Sequence, residues 1–472
     1  MAPRGRLGRR GFLAGAAAAV AGCAGDERPA PDVAEVAPVV HAAPRPARPN
    51  ILVIVTDDQP KHLAWALRKT RRWLVDGGVE FTNGHTTTPL CAPSRSSIFS
   101  GRYAHNHGVR DNYQKLRLDQ DTTFQRHLKD AGYRTGMFGK YLNEWRIASP
   151  PAHFEDFALL SPVGYVDGRF NHNGKVAKLP GYTTHRIRDF ARGFIRRGTT
   201  DPRPWFAYVA PYAAHAPFTP EKKYRNTPVP GWAGRPSVTE RDKSDKPPYL
   251  RDVHAALPRG RAIRRDQLRT LLSVDDAVQA LRDELKATGQ LDNTLVIFLG
   301  DNGFLWADHG WTRKSVPYRP AIEVPFFLSW PAGGFGSGTK DRRLVANIDV
   351  SATVLDAAGI DPPTPQDGIS LLRGHKRDHL LIEFWKQGGD PRPPHSWASY
   401  VTETKQYTEY YALHTNAVGK PVGSGRVVFR EYYDLTKDPH QLTNKLHRAT
   451  RAQEKSWGIP TLAARLAKAR KA

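Results

Sequence analysis

The chain has 472 residues, enough for one large domain with a smaller appendage or for two ordinary domains. Hydrophobic residues make up 39% and charged residues 25%, which suits a soluble globular protein and excludes one built mainly of membrane spans. The 70 basic and 46 acidic side chains leave a net charge of +24, which falls to +20 without Arg4, Arg6, Arg9 and Arg10 of the first 22 residues. Such a surface attracts polyanions such as nucleic acid, anionic lipid or sulfated polysaccharide, and a solvated basic face reads the same way.

Residues 1 to 22 read as a targeting segment. Arg9-Arg10-Gly11-Phe12-Leu13 resembles a twin-arginine signal, and the apolar stretch from Phe12 to Gly22 is shorter than the about 20 residues a bilayer core needs. Val20-Ala21-Gly22-Cys23 resembles the end of a lipoprotein signal, which predicts a lipid on Cys23; a cleaved signal without lipid and a short uncleaved anchor are the alternatives. Residues 23 to 49 are rich in Ala, Pro and charge and read as a flexible tether. The expected product is exported, either secreted or a cell-surface lipoprotein that meets the membrane only through its lipid.

Ile51-Leu52-Val53-Ile54-Val55 is a continuous, mostly β-branched run ending in Thr56-Asp57-Asp58, a buried parallel strand with two carboxylates at its C-terminal end. Ala64 to Asp76 reads as a helix stopped by Gly77-Gly78, and Pro93 to Ser100 as a short helix just after Cys91. A helix over 122–131, a strand over 133–139 and a buried strand over 205–209 follow. Residues 227 to 264 show no period and read as a long surface loop; Asp266 then caps an amphipathic helix that ends at Gly289. Thr294 to Leu299 is a central strand ending in a second ligand pair, Asp301-Asn302. Strand and helix alternate to about Gly359, which predicts an α/β unit over 50–377 with a mostly parallel sheet flanked by helices. Aromatic, alternating segments over 399–404, 407–413 and 427–435 predict a small antiparallel-sheet subdomain over 378–447, followed by a basic, helical tail over 448–472.

Asp57, Asp58, Asp301 and Asn302 form a hard, all-oxygen donor set at two strand ends, suited to Ca²⁺ or Mg²⁺. Taken singly, Asp-Asp and Asp-Asn-Gly are ordinary turn sequences; at the ends of two central strands they favour a metal. Cys91 sits in the polar stretch Thr86-Thr87-Thr88-Pro89-Leu90-Cys91-Ala92-Pro93-Ser94-Arg95, a poor core segment and a good lead into a helix N-terminus. Helix N-terminal amides attract anions and depress a thiol pKa, so Cys91 reads as a nucleophile or an oxidised residue beside an anion site, with Arg95 one turn on.

Thr56-Asp57-Asp58-Gln59, Cys91-Ala92-Pro93-Ser94-Arg95, Ser100-Gly101-Arg102-Tyr103 and Gly300-Asp301-Asn302-Gly303 together resemble the formylglycine-dependent sulfatases, in order and in spacing. Gly139-Lys140-Tyr141-Leu142-Asn143-Glu144 and Tyr433-Asp434-Leu435-Thr436-Lys437-Asp438-Pro439 resemble the N-acetylglucosamine-6-sulfatases and extracellular heparan 6-sulfatases. The resemblance implies an alkaline-phosphatase-like fold over roughly residues 49 to 447. It implies Cys91 oxidised to formylglycine by a formylglycine-generating enzyme, with Asp57, Asp58, Asp301, Asn302 and the modified Cys91 around Ca²⁺, or Mg²⁺ as the alternative. Arg95 and Lys140 would brace the formylglycine, Lys314 would bind the sulfate, and His215 would protonate the departing alcohol.

The family often has Lys-x-His where this chain has Lys140-Tyr141-Leu142, so the resemblance identifies no elimination base; it often has Tyr-Glu where this chain has Tyr318-Arg319. His309 is a second candidate at the sulfate, or a plain loop histidine. His105 and His107 read as packing groups at the end of the Cys91 helix, and Trp306 and Trp311 as sugar-stacking rings or plain wall. The expectation is an exported sulfatase acting on a sulfated carbohydrate of the 6-O-sulfated N-acetylglucosamine type. A phosphodiester or phosphonate monoester hydrolase of the same fold and a silent binder of sulfated glycan are the alternatives. The scattered basic residues carry no nucleic-acid recognition motif.

Overall fold

The structure is a computed structural model that describes residues 47–113, 117–386, 394–415 and 421–472. The leader, Cys23 and the tether up to residue 46 lie outside the described residues.

In chain order the first half runs β1 (Asn50–Thr56), α1 (Arg68–Leu74), β2 (Val79–His85), α2 (Cys91–Ser100), α3 (Ala104–His107), α4 (Phe124–Asp130), β3 (Arg134–Gly139), β4 (Asp156–Leu160), β5 (Arg169–His172), β6 (Lys175–Lys178), α5 (Thr183–Arg197) and β7 (Trp205–Ala210). The second half runs α6 (Pro248–Arg251), α7 (Leu257–Ala287), β8 (Thr294–Gly300), β9 (Leu305–Asp308), β10 (Trp311–Arg313), α8 (Arg319–Ile322), β11 (Phe326–Ser329), β12 (Thr339–Ala346), α9 (Asp349–Ala358), β13 (Leu380–Phe384), β14 (Trp397–Val401), β15 (Lys405–Thr415), β16 (Pro421–Asp434), α10 (Arg451–Ser456) and α11 (Ile459–Ala469).

Ten strands form one mixed sheet in the order β12-β2-β11-β8-β1-β7-β3-β4-β5-β6. The middle five are parallel throughout, as their continuous apolar runs predict, and antiparallel neighbours enter towards both edges. Alternate residues of β1 face opposite layers. Leu52 and Ile54 pack with residues of α5 and α7, whereas Ile51, Val53 and Val55 pack with residues of α2, α4 and α9. A strand buried on both faces can offer polar side chains only at its ends, and Asp57 and Asp58 follow the C-terminal end of β1. In the β1–β8 register Thr56 pairs with Gly300, and the Asp301 N–H donates to the Thr56 carbonyl at 2.9 Å, which sets Asp57 and Asp301 side by side.

The stretch read as a surface loop over 227–264 is ordered into short turns and α6, and α7 begins at Leu257, nine residues before Asp266. Asp266 lies inside α7 and pairs with Arg265 at 2.7 Å instead of capping the helix. The Arg-rich first turns show no apolar stripe, so periodicity missed them. What holds them is Gly260, where a Cβ would meet the Trp306 carbonyl oxygen at 2.1 Å.

β13 to β16 form a separate four-stranded antiparallel sheet. One face packs on Leu90, Tyr318 and Ile348 of the large unit. The other is covered by α11 through Ile459, Leu462 and Leu466, so the basic tail is an amphipathic helix. Each such side chain contributes roughly 1.5–3 kcal/mol when fully buried. Where the two sheets meet, the buried Glu431 carboxylate accepts from Tyr318 at 2.9 Å, Tyr410 at 2.6 Å and Tyr433 at 2.7 Å.

Candidate functional site

The site forms where β1, β8, β3 and β7 end. Asp58 takes a left-handed backbone, φ 56°, just past β1, and this turn carries both carboxylates towards Cys91. Cys91 Sγ lies 3.4 Å from Asp57 Oδ1 and 4.0 Å from Asp58 Oδ1. The Asp58 N–H donates to Asp301 Oδ1 at 3.1 Å, and Asn302 Nδ2 donates to Asp58 Oδ1 at 2.8 Å. All five predicted ligand residues are buried in one cluster.

Cys91 opens α2, as its polar lead-in implies, and the cluster lies at that helix N-terminus. The thiol is not acidified there: burial first, and the Asp57 charge second, push it up to about 12. Desolvation inside a carboxylate cluster outweighs the helix dipole, contrary to the expectation from α2 alone.

Three cations balance the acids. The first turn of α2 aims Arg95 inward, fully buried, with Nε 2.9 Å from Asp301 Oδ2 and a terminal nitrogen 2.8 Å from the Lys140 carbonyl oxygen. Lys140 follows β3, and its ammonium donates to Asp57 Oδ2 at 2.5 Å. Lys314 follows β10, and its ammonium donates to Asp58 Oδ1, lies 2.8 Å from Cys91 Sγ and reaches Asn302 Oδ1 at 3.4 Å. Burial works to raise the Asp57 pKa, but Lys140 above all, then His215, Arg95 and Lys314, hold it well below the carboxylate range. For Asp301, burial and the Asp57 charge prevail and push it up.

One ligand atom each from Asp57, Asp58, Cys91 and His215 lie within 4.8 Å of one another. With Asp301 and Asn302 adjoining, this is an oxygen-rich set. The donors already hold a cationic group, since the Lys314 ammonium bonds to Asp58 and Asn302 oxygens. The residues therefore fit a hard divalent ion.

His215 follows β7. Its Nε2 is 3.6 Å from Asp58 Oδ2, and its Nδ1 lies 2.7 Å from both the Tyr212 hydroxyl and the Ala216 carbonyl oxygen. The carbonyl accepts from Nδ1–H, which leaves Nε2 for the site. His215, Asp58 and Lys314 line a cleft of about 940 Å³.

His309 is placed differently. It is buried, its Nδ1 is 2.7 Å from Glu240 Oε2, its ring lies 4.2 Å from that of Tyr318, and it does not line this cleft. Among the departures, Tyr141 is buried with its hydroxyl on Gln120, and Arg319 turns to Glu323 and the Pro439 carbonyl. His107 is buried: it accepts from the Val109 N–H at Nδ1, 3.1 Å, and meets Ser97 at Nε2, 3.1 Å. His105 pairs with Glu383 at 2.7 Å. Trp306 is buried wall, its N–H donating to Gln267 at 2.6 Å, whereas Trp311 lines the cleft.

Sequence reasoning missed Tyr212, Gln267, Ser94 and Asn347. Gln267 Nε2 donates to the carbonyls of Asp58 at 3.0 Å and Ala214 at 3.1 Å, tying the Asp58 and His215 loops together. The signal was present, because Gln267 is a polar residue on the apolar side of α7. Ser94 donates to the Asp301 carbonyl at 2.5 Å and accepts from Asn347 at 2.9 Å. Nothing local in sequence marks Asn347.

A family model described as Sulfatase matches residues 49–360, and one described as N-sulphoglucosamine sulphohydrolase, C-terminal, matches residues 307–471. The chain is 32% identical to the Extracellular sulfatase SULF-1 homolog of Drosophila melanogaster over 70% of its own length and 31% of that protein. For the Putative extracellular sulfatase Sulf-1 homolog of Caenorhabditis elegans it spans about half, 55%. It is 30% identical to the N-acetylglucosamine-6-sulfatase of Homo sapiens, over 84% of this chain and 81% of that one. Among solved structures, one described as in complex with its substrate D-glucosamine-2-N,6-O-disulfate superposes with TM-score 0.77 at 22% identity, covering 90% of this chain and 98% of the other. A phosphonate monoester hydrolase of Agrobacterium radiobacter superposes with TM-score 0.64 at 21% identity, covering 89% and 96%. At these identities the likeness is one of fold, the alkaline-phosphatase-like fold that the motifs implied.

Proposed function

Because the chain belongs to the sulfatase family, we propose that it hydrolyses sulfate esters of a carbohydrate, with a 6-O-sulfated N-acetylglucosamine-type sugar as substrate. The observation that carries this is the convergence of Asp57, Asp58, Asp301 and Asn302 on Cys91, ringed by Arg95, Lys140 and Lys314. Four anionic or polar donors beside three cations suit an ester that is itself an anion and gains charge on its leaving oxygen.

Cys91, oxidised to formylglycine, would supply a hydrated aldehyde whose hydroxyl attacks sulfur and whose second hydroxyl lets sulfate leave by elimination. Asp57, Asp58, Asp301, Asn302 and the modified Cys91 would hold Ca²⁺, or Mg²⁺, which would polarise the sulfate and favour the nucleophilic alkoxide. Arg95 and Lys140 fix Asp301 and Asp57, so the carboxylates cannot swing away as charge moves. Lys314 reaches both Asp58 and Cys91, which puts its ammonium where sulfate oxygens would sit. His215 lines the cleft with Nδ1–H held by the Ala216 carbonyl, so its imidazolium form would carry the second proton on Nε2 and give it to a departing alcohol oxygen, leaving the neutral ring. His309 serves this scheme at most through Glu240 and Tyr318.

Export fits the extracellular names of two relatives. Among the described residues no helix is long and apolar enough to cross a membrane.

The test is the mass of the tryptic peptide from Trp73 to Arg95, from protein made in its own host. Formylglycine at Cys91 with turnover of N-acetylglucosamine 6-sulfate supports the proposal. An unmodified thiol with no turnover sinks it, and faster cleavage of an aryl phosphodiester than of an aryl sulfate would hand it to the phosphoester alternative.

A further inference from the structure

We propose that the cleft leading to Cys91 holds a second anion subsite, built by Arg259 and Arg313, which takes a further sulfate or carboxylate of the substrate. This deepens the sulfatase reading and rests on it.

The cleft of about 940 Å³ is near the top of the about 300–1,000 Å³ range of small-molecule sites, so it has room for more than the ester being cleaved. Its walls carry Arg259, Arg313 and His254 besides Lys314 and His215. Among the described lining residues Asp58 is the one acid, and it is engaged by Lys314 and Asn302. The basic wall is therefore unbalanced, and a low-dielectric cleft focuses its field.

Several arginines of this chain find acids, as Arg235 does on Asp308, Arg196 on Glu284 and Arg373 on Asp356, and others, such as Arg261 on the Trp232 carbonyl and Arg264 on the Pro230 carbonyl, find backbone oxygens. Among the described residues, neither Arg259 nor Arg313 has a side-chain hydrogen bond or ion pair. Helix stability does not explain Arg259. It occupies the first turn of α7, where the helix dipole disfavours a cation and no acidic residue offsets it.

Arg313 is set by strain. In an extended strand Arg313 and Lys314 would point to opposite sides. Here Arg313 has φ 143° and Ser315 φ 72°, and both Arg313 and Lys314 line the same cleft. The two arginine-bearing segments are also pinned together. The Ala255 N–H donates to the Gly310 carbonyl at 2.9 Å, and a Cβ on Gly310 would meet the Val253 carbonyl oxygen at 2.3 Å. Arg259 and Arg313 are exposed side chains on backbone segments pinned to one another, and both line the cleft with Lys314, so their free guanidiniums can close on a second oxyanion.

The second anion can sit on the same ring or on the next, and the substrates separate these. N-acetylglucosamine 6-sulfate carries one anion, glucosamine 2-N,6-O-disulfate adds one on the same ring, and a disaccharide with a neighbouring uronate adds one on the next. The readout is the KM of each two-anion substrate divided by the KM of the one-anion substrate. Arg259→Ala and Arg313→Ala are expected to raise this ratio about tenfold for one of the two, as loss of a charged hydrogen bond does, with Arg→Lys intermediate. The ring that responds locates the anion. A ratio unchanged for both substrates overturns the subsite. Calorimetric affinities of the same three ligands for Cys91→Ser protein give the ratio without turnover. Retained selectivity there, with no hydrolysis by the wild type, would fault the sulfatase reading and leave the subsite standing.

Discussion

The ammonium of Lys314 lies 2.8 Å from Sγ of Cys91, although 223 residues separate them in the chain. The same ammonium bonds to Asp58, so one cation joins the proposed nucleophile to the proposed metal ligands. Replacing Lys314 by Met is expected to lower kcat/KM by about 10²–10³, the usual loss for one preorganised charge donor. Lys314→Arg should recover little, because a planar fork does not replace a point charge in this space. Steady-state kinetics of the two variants check this, and near-wild-type rates for Lys314→Met would remove Lys314 from the sulfate site.

His215 is expected to matter in proportion to the leaving group. His215→Gln should cost about 10²–10⁴ on a sugar 6-sulfate, whose alkoxide needs a proton, and much less on an aryl sulfate. Equal losses on both substrates would argue that His215 acts on Asp58, 3.6 Å away, and not on the alcohol.

Metal binding should appear in stability. Because the donors are assembled only in the folded chain, Ca²⁺ is expected to raise Tm in a concentration-dependent way and EDTA to reverse it. Asp301→Asn should shift the response to higher Ca²⁺. A Tm indifferent to Ca²⁺ and Mg²⁺ would reject this cluster as a metal site.

His107 predicts a pH dependence apart from catalysis. Burial, then the Arg102 charge, lowers its pKa from the usual 6.5 to about 3. Nδ1 already accepts the Val109 N–H, so protonation there would break a hydrogen bond. Between those two pH values the unfolded chain binds the proton and the folded chain does not. This contribution is therefore complete above pH 6.5 and shrinks as pH falls towards 3. Of order 2 kcal/mol should go between pH 6.5 and 5. His107→Asn is expected to be less stable at pH 7 yet to lose less on acidification, measured by urea midpoints at pH 7 and 5. Parallel losses in both proteins would dismiss the histidine.

Gly139 delivers Lys140. It has φ 112°, and a Cβ there would lie 2.1 Å from the Ala210 carbonyl oxygen, the acceptor of the Lys140 N–H. Gly139→Ala should cost about 2–4 kcal/mol and reduce activity through displacement of Lys140. A variant with unchanged Tm and unchanged rate would show that the β3 end tolerates the clash.

Much of this was legible in local sequence. Ile51 to Val55 announces a strand buried on both faces, and a strand of that kind can offer Asp57 and Asp58 only at its end. Thr294 to Leu299 repeats the logic for Asp301 and Asn302, and the polar run into Cys91 marks a helix start. Residues 257–264 were misjudged because their helix is held by contact with Trp306 and not by a stripe of its own.

What the sequence determined by itself is the set of candidate groups for the site and the strand ends that carry them, since apolar runs and turn residues act over a few residues. What only the tertiary structure decided is how distant groups meet. The burial that raises the Cys91 thiol, the Gln267 clamp on two loops, the pairing of His309 with Glu240 and the unpaired arginines of the cleft each depend on residues tens to hundreds of positions apart. Desolvation and charge balance are sums over everything nearby in space, and no window of sequence contains those neighbours.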